Sequence, residues 1–172
     1  MANAKIVIDR AGAIVANAWT TLAPDEELPS AGPVIVPLAR LLAETDAVLA
    51  LPGGIGVLIG SDEHLEQIVP LLPNLALVAV GFPKFRDGRG FTHIRALRDQ
   101  YGWAGEIRAV GDALPDQFLS LVRLGVSSVE LGEGEDPASW SGVLALRGGL
   151  DSRPAAEQPL PLLRRLAARF AA

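Results

Sequence analysis

The sequence predicts a mixed α/β fold. A parallel sheet of about four consecutive strand–helix units follows an N-terminal hairpin. Three observations carry this. Short valine- and isoleucine-rich runs alternate with segments of helical period from residue 51 onward. Polar clusters stand at the strand-to-helix junctions, with glycine or a capping residue at many of them. Ala-Val-Gly recurs at 79–81 and 109–111, each time at the end of a predicted strand.

Residues 5–9 and 13–19 flank Arg-Ala-Gly and read as the hairpin. A polar loop with Pro24, Pro29, Gly32 and Pro33 follows. Pro37 then stands where a short helix can start. The first strand of the main body is 55–59. Ser61 is the expected N-cap of its helix, with Leu65, Ile68, Val69 and Leu72 on one side and Pro70 as its end or bend. The second strand is 75–80, and its helix runs from about 90 to 101 with Gly102 as the stop. The third strand is 106–110, with Glu106, Arg108 and Val110 on one face and Ile107 and Ala109 on the other. Its helix turns Leu114, Phe118, Leu121 and Leu124 inward and ends at Gly125. The fourth strand is 126–131, and Asp136-Pro137 opens the next helix. Units in chain order form either a half-barrel or a small doubly wound sheet; the half-barrel is the preferred reading.

The 172 residues divide into a hairpin and loop (1–50), a βα core (51–147), and a linker with an amphipathic C-terminal helix (148–172), all within one expected domain. Cysteine is absent, which excludes a thiol nucleophile, a disulfide framework and cysteine-held metal or iron–sulfur centres. With two histidines, a histidine-rich metal site is not expected. No metal or cofactor is specified. The net charge of −5 argues against nucleic-acid binding. No run is long and apolar enough to span a membrane and no secretory pattern opens the chain, so a cytoplasmic location is expected. Charge is uneven: residues 84–123 carry seven basic and five acidic side chains, a balance of +2, which leaves −7 for the rest.

That basic segment holds the candidate site. The loop from Phe82 to Gly90 offers Lys84, Arg86 and Arg89 around Asp87, beside a helix start, which suits a small anion or an anionic cofactor. Arg98 and Arg108 add charge, and Asp112, Asp116 and Gln117 stand after the third strand. The structural alternatives are specific. Asp87 caps a solvated turn, Asp112 caps a helix, and Arg108, in an apolar strand, pairs with Glu130 on the next one. The Pro52–Gly56 run is a turn, because it precedes a strand where a dinucleotide loop would join strand to helix.

The order Phe82-Pro83, Asp87-Gly88-Arg89, Leu97-Arg98, Gly105 to Asp112 and Asp116-Gln117 resembles bacterial domain-of-unknown-function family 934. Ile107 stands where leucine is usual, and Arg86 where a small hydroxyl residue is common. The resemblance implies a bacterial protein encoded beside assimilatory sulfite reductase, with no reaction or catalytic residues assigned. It points to an accessory protein of sulfite and sulfate reduction with pathway proteins as partners. An enzyme on the same scaffold, whether lyase-like or associated with a reductase, and a non-catalytic interaction module are the alternatives. A homodimer, or cover by residues 1–50 and 160–170, is expected to protect the sheet edges.

Overall fold

In the computed structural model, residues 5–83 and 87–146 are described. Among the described residues, eight strands form one sheet in the order β2-β1-β8-β7-β6-β5-β4-β3. They are β1 (Val7–Asp9), β2 (Ile14–Val15), β3 (Thr20–Thr21), β4 (Val34–Pro37), β5 (Ile55–Ile59), β6 (Leu77–Phe82), β7 (Glu106–Gly111) and β8 (Ser128–Glu130). From β3 to β8 every neighbouring pair is parallel and in chain order. β1 joins β8 antiparallel, and β2 joins β1 antiparallel. The winding never reverses, so the sheet is a half-barrel and the doubly wound alternative is overturned.

The helices are α1 (Leu38–Ala43), α2 (Thr45–Leu49), α3 (Arg89–Arg95), α4 (Phe118–Leu124) and α5 (Pro137–Leu146). The segment after β5 differs from expectation. Leu65–Asn74 is a 3-10 helix with Pro70 and Pro73 inside it. Each proline lacks the N–H that an α-helix would use, and Pro70 does not end the segment. α3 passes into a π turn at Ala96–Gln100, and Gly102 leaves it at φ +60°. Gly125 ends α4 at φ +99°, as its sequence position predicts. Asp136 accepts the Ala138 N–H at 2.9 Å and caps α5.

Alternation along the strands makes two layers. Val34, Val36, Val57, Val78, Val80, Ile107, Ala109 and Val129 belong to the main core with the helices. Ile35, Leu77 and Ala79 face the other way, with Trp19, Leu58 and Val110 packed against them. β4 is not among the expected strands, although Val34-Ile35-Val36 is a β-branched run; it ends at Pro37, where the expected short helix starts.

The second arm of the expected hairpin is also shorter than 13–19. Only Ile14–Val15 pairs, and residues 16–19 leave it to reach β3 at the opposite edge of the sheet. Seven strand spacings would separate those edges by about 34 Å if the sheet were flat. Five residue steps from Val15 to Thr20 reach at most about 18 Å. The sheet must therefore curl, and residues 16–19 strap its concave face. Gly56 shows the contact: a Cβ there would lie 3.3 Å from the Trp19 ring, 3.1 Å from Ile35 and 3.3 Å from Leu77. The glycine run at 53–56 thus turns the chain and admits a tryptophan. Of the expected cover by residues 1–50, the described part, residues 5–50, flanks the parallel core through β1 on β8 and β4 on β5. The expected C-terminal helix lies outside the described residues.

Candidate functional site

A cleft of about 420 Å³ opens where β4, β5, β6 and β7 end. Pro37, Leu58 and Val110 give it an apolar floor, and Ser61, Asp62 and Glu63 form one wall. Glycines keep it open. At Gly111, φ is +95° and a Cβ would meet the Phe82 carbonyl oxygen at 2.6 Å. That turn lets the Asp112 N–H donate to the same oxygen at 2.7 Å, which ties the ends of β6 and β7 together.

Beside the wall stands a chain of hydrogen bonds. The Ser61 hydroxyl donates to Asp87 Oδ2 at 2.7 Å. Arg89 grips the same carboxylate with two bonds, Nε to Oδ1 at 2.9 Å and Nη2 to Oδ2 at 2.7 Å. The Arg89 backbone N–H also donates to Oδ1. These bonds, those of the Arg89 side chain first, hold the Asp87 carboxyl well below the usual carboxylate range. The same pairing raises Arg89, whose guanidinium is 60% exposed and also feels Asp62. Ser61 is therefore not the helix N-cap the sequence suggested. The 3-10 helix starts at Leu65, and Glu63 closes the intervening turn by accepting the Gly60 N–H at 2.5 Å. Gly90 likewise serves packing: a Cβ there would meet the Phe82 ring at 2.7 Å, so the glycine seats α3 on β6.

His93, on α3, is half-buried, and its Nδ1 has no hydrogen-bond partner among the described residues. Burial pushes it below its ordinary value, against the opposing pull of Glu66, Glu63 and Asp87 and with the push of Arg89. The neutral form is favoured in the fold, so the unfolded chain binds the proton first as pH falls. Stability should be full above about pH 6.5 and decline below it. Asp87 adds a separate loss below about pH 4, because its folded value lies beneath its unfolded one. Urea midpoints measured from pH 8 to 5 should fall for the native chain and stay flatter for His93→Gln.

The other predicted residues are spread out. Arg98 is turned to the opposite end of the sheet. Its guanidinium donates to the carbonyls of Gly125 (2.7 Å), Trp103 (2.6 Å) and Gly105 (2.9 Å), before β7 and β8. Burial lowers its pKa, with Arg10 adding to the effect. Arg108 is buried on the concave face. It donates to Glu106 at 2.9 Å, to the Asn17 side-chain oxygen at 2.9 Å and to Ser128 at 3.1 Å. The expected partner, Glu130, instead accepts from Lys5 at 2.6 Å. Register explains the correction: Arg108 lies opposite Ser128, and Glu130 is two residues further along β8.

Asp112 and Asp116 are exposed. Asp112 does not cap its helix; the Gln117 side chain does so by accepting the Leu114 N–H at 3.1 Å. Lys84 and Arg86 fall outside the described residues. The cleft thus gathers Asp87 and Arg89 beside its wall and Asp112 next to Gly111, while Arg98 and Arg108 stand elsewhere. Sequence reasoning missed Asn17, Trp19 and Glu63. Among the described residues, no group of three or more histidine and carboxylate side chains could hold a metal ion, and no helix is long and apolar enough to cross a membrane.

Residues 56–159 match a family described as bacterial protein of unknown function (DUF934). No curated protein matches the chain.

Proposed function

The chain belongs to the bacterial family of unknown function DUF934, and on that premise we propose that it is an accessory protein of assimilatory sulfite and sulfate reduction. In this reading it binds a small ligand with an anionic group at the C-terminal mouth of its sheet. The pathway rests on the family resemblance. The binding reading rests on one observation: four parallel strands end around an apolar-floored cleft, with the Arg89 guanidinium beside its wall. Mouths of this kind are where parallel α/β proteins seat ligands. Lys84 and Arg86 follow Pro83 of that lining in sequence.

Calorimetric titration of the full chain with sulfite, sulfate and phosphate-bearing ligands tests this reading. Arg89→Ala should weaken binding at least tenfold, about 1.4 kcal/mol, and Arg89→Lys should recover only part of it. Thermal stability at neutral pH should fall only modestly, since the Arg89 guanidinium is 60% exposed and Asp87 keeps the Ser61 hydroxyl and a backbone N–H. Equal affinity in the native chain and Arg89→Ala would sink the reading. A partner-binding module has its own support in the exposed Ile14 and Val15 of edge strand β2. We propose a homodimer through that edge, and light scattering of Ile14→Asp should then report a monomer.

A further inference from the structure

The cleft wall limits the chemistry of the ligand beyond the presence of an anionic group. Its polar side chains are acceptors. Ser61 gives its proton to Asp87, so its oxygen is left with acceptor capacity only. Glu63 uses Oε2 for the Gly60 N–H and keeps Oε1. Asp62 also lines the cleft, and its carboxylate has no hydrogen bond among the described residues. Arg89 is the opposite case. Asp87 takes its Nε–H and one N–H of Nη2, and a guanidinium has five.

A bare inorganic anion fits this setting poorly. It would meet a guanidinium already paired with one carboxylate, with Asp62 and Glu63 close by. A simple amine would satisfy the wall and leave Arg89 unused. Neither would use the floor of Pro37, Leu58 and Val110.

We propose that the cleft takes a small zwitterion with an apolar body, of the α-amino-acid class, its ammonium on the Asp62–Glu63 wall and its carboxylate at Arg89. Such a ligand brings no net charge, meets both kinds of polar group, and lays its side chain on the apolar floor. The volume of about 420 Å³ is in the range of small-molecule sites. This inference rests on the binding reading above, and it adds the second charged end.

The test is calorimetry on the full chain with alanine, valine, leucine and phenylalanine. Each is compared with its N-acetyl derivative, which lacks the cation, and with its decarboxylated amine, which lacks the anion. At least one free amino acid should bind at least tenfold more tightly than either analogue. Glu63→Gln, which keeps an oxygen for Gly60, and Asp62→Asn should weaken the free amino acid and spare the N-acetyl form. Arg89→Ala should weaken both. If the N-acetyl form or sulfate binds as well as the free amino acid, the zwitterion is wrong and the anion reading stands. If the amine binds as well, or nothing binds, both readings fall.

Discussion

Arg108→Ala should destabilise the protein by about 3 kcal/mol, read as a lower urea midpoint at unchanged slope. The side chain is 4% exposed and its three hydrogen-bond partners come from three places: Glu106 on its own strand, Ser128 on β8 and Asn17 in the strap. Truncation strands each of them. Glu106 is 31% exposed and partly rehydrates, which keeps the loss toward the lower end for a broken buried pair. Glu106 also accepts from Ser128 at 2.8 Å, so the three strand side chains form a closed ring. Two controls separate charge from shape. Arg108→Met keeps most of the stem and should still lose most of the stability. The double variant Arg108→Ala with Glu106→Ala should cost less than the sum of the singles, because neither charge is then left alone. Strict additivity would mean that the ring is not a coupled unit.

Trp140→Ala should cost about 4 kcal/mol, the largest effect expected of any single change considered. Its side chain is 1% exposed and meets Phe118 edge-on at 5.5 Å, where α5 packs on α4. Its Nε1–H has no acceptor among the described residues. An unpaired buried donor carries a desolvation cost that a phenyl ring lacks. Trp140→Phe should therefore lose less than about 1.5 kcal/mol despite the smaller ring, since the missing N–H offsets part of the lost area. Thermal denaturation of the two variants checks this. Equal losses would mean that a phenyl ring recovers none of the packing and would sink this account.

The parallel core was legible because its units are regular. Glu106 to Gly111 is one unbroken extended strand, so the period of two sets the facing of Arg108 from its position alone. Helix ends at Gly102 and Gly125 were legible because only a left-handed residue closes the turn there. The partner of Arg108 was not legible. It depends on how β8 is staggered against β7, and a two-residue slip exchanges Glu130 for Ser128 on the same face. The strap was hidden for a related reason: AIVANAW reads as one extended run, and only the edge-to-edge strand order shows that half of it crosses the sheet. At the candidate site, the position of Asp87 and Arg89 near a strand end was visible in sequence. Their mutual grip and the Ser61 link were not, because Ser61 lies 26 residues earlier in the chain.

The pairing of β1 with β8 also has a consequence for how the chain is made. Val7 lies opposite Glu130, so β1, which is synthesised before the other strands of this sheet, completes its ladder only after nearly all of them exist. Until then the β1–β2 hairpin has a single partner, itself, and such hairpins are marginal in water. Contacts this distant in sequence slow folding and prolong exposure of unpaired edges. The parallel strands can meanwhile assemble in order of synthesis, each on its predecessor. Docking of the N-terminal hairpin is then a late event, and a nascent chain stalled before residue 128 would carry an open β7 edge for chaperones to shield.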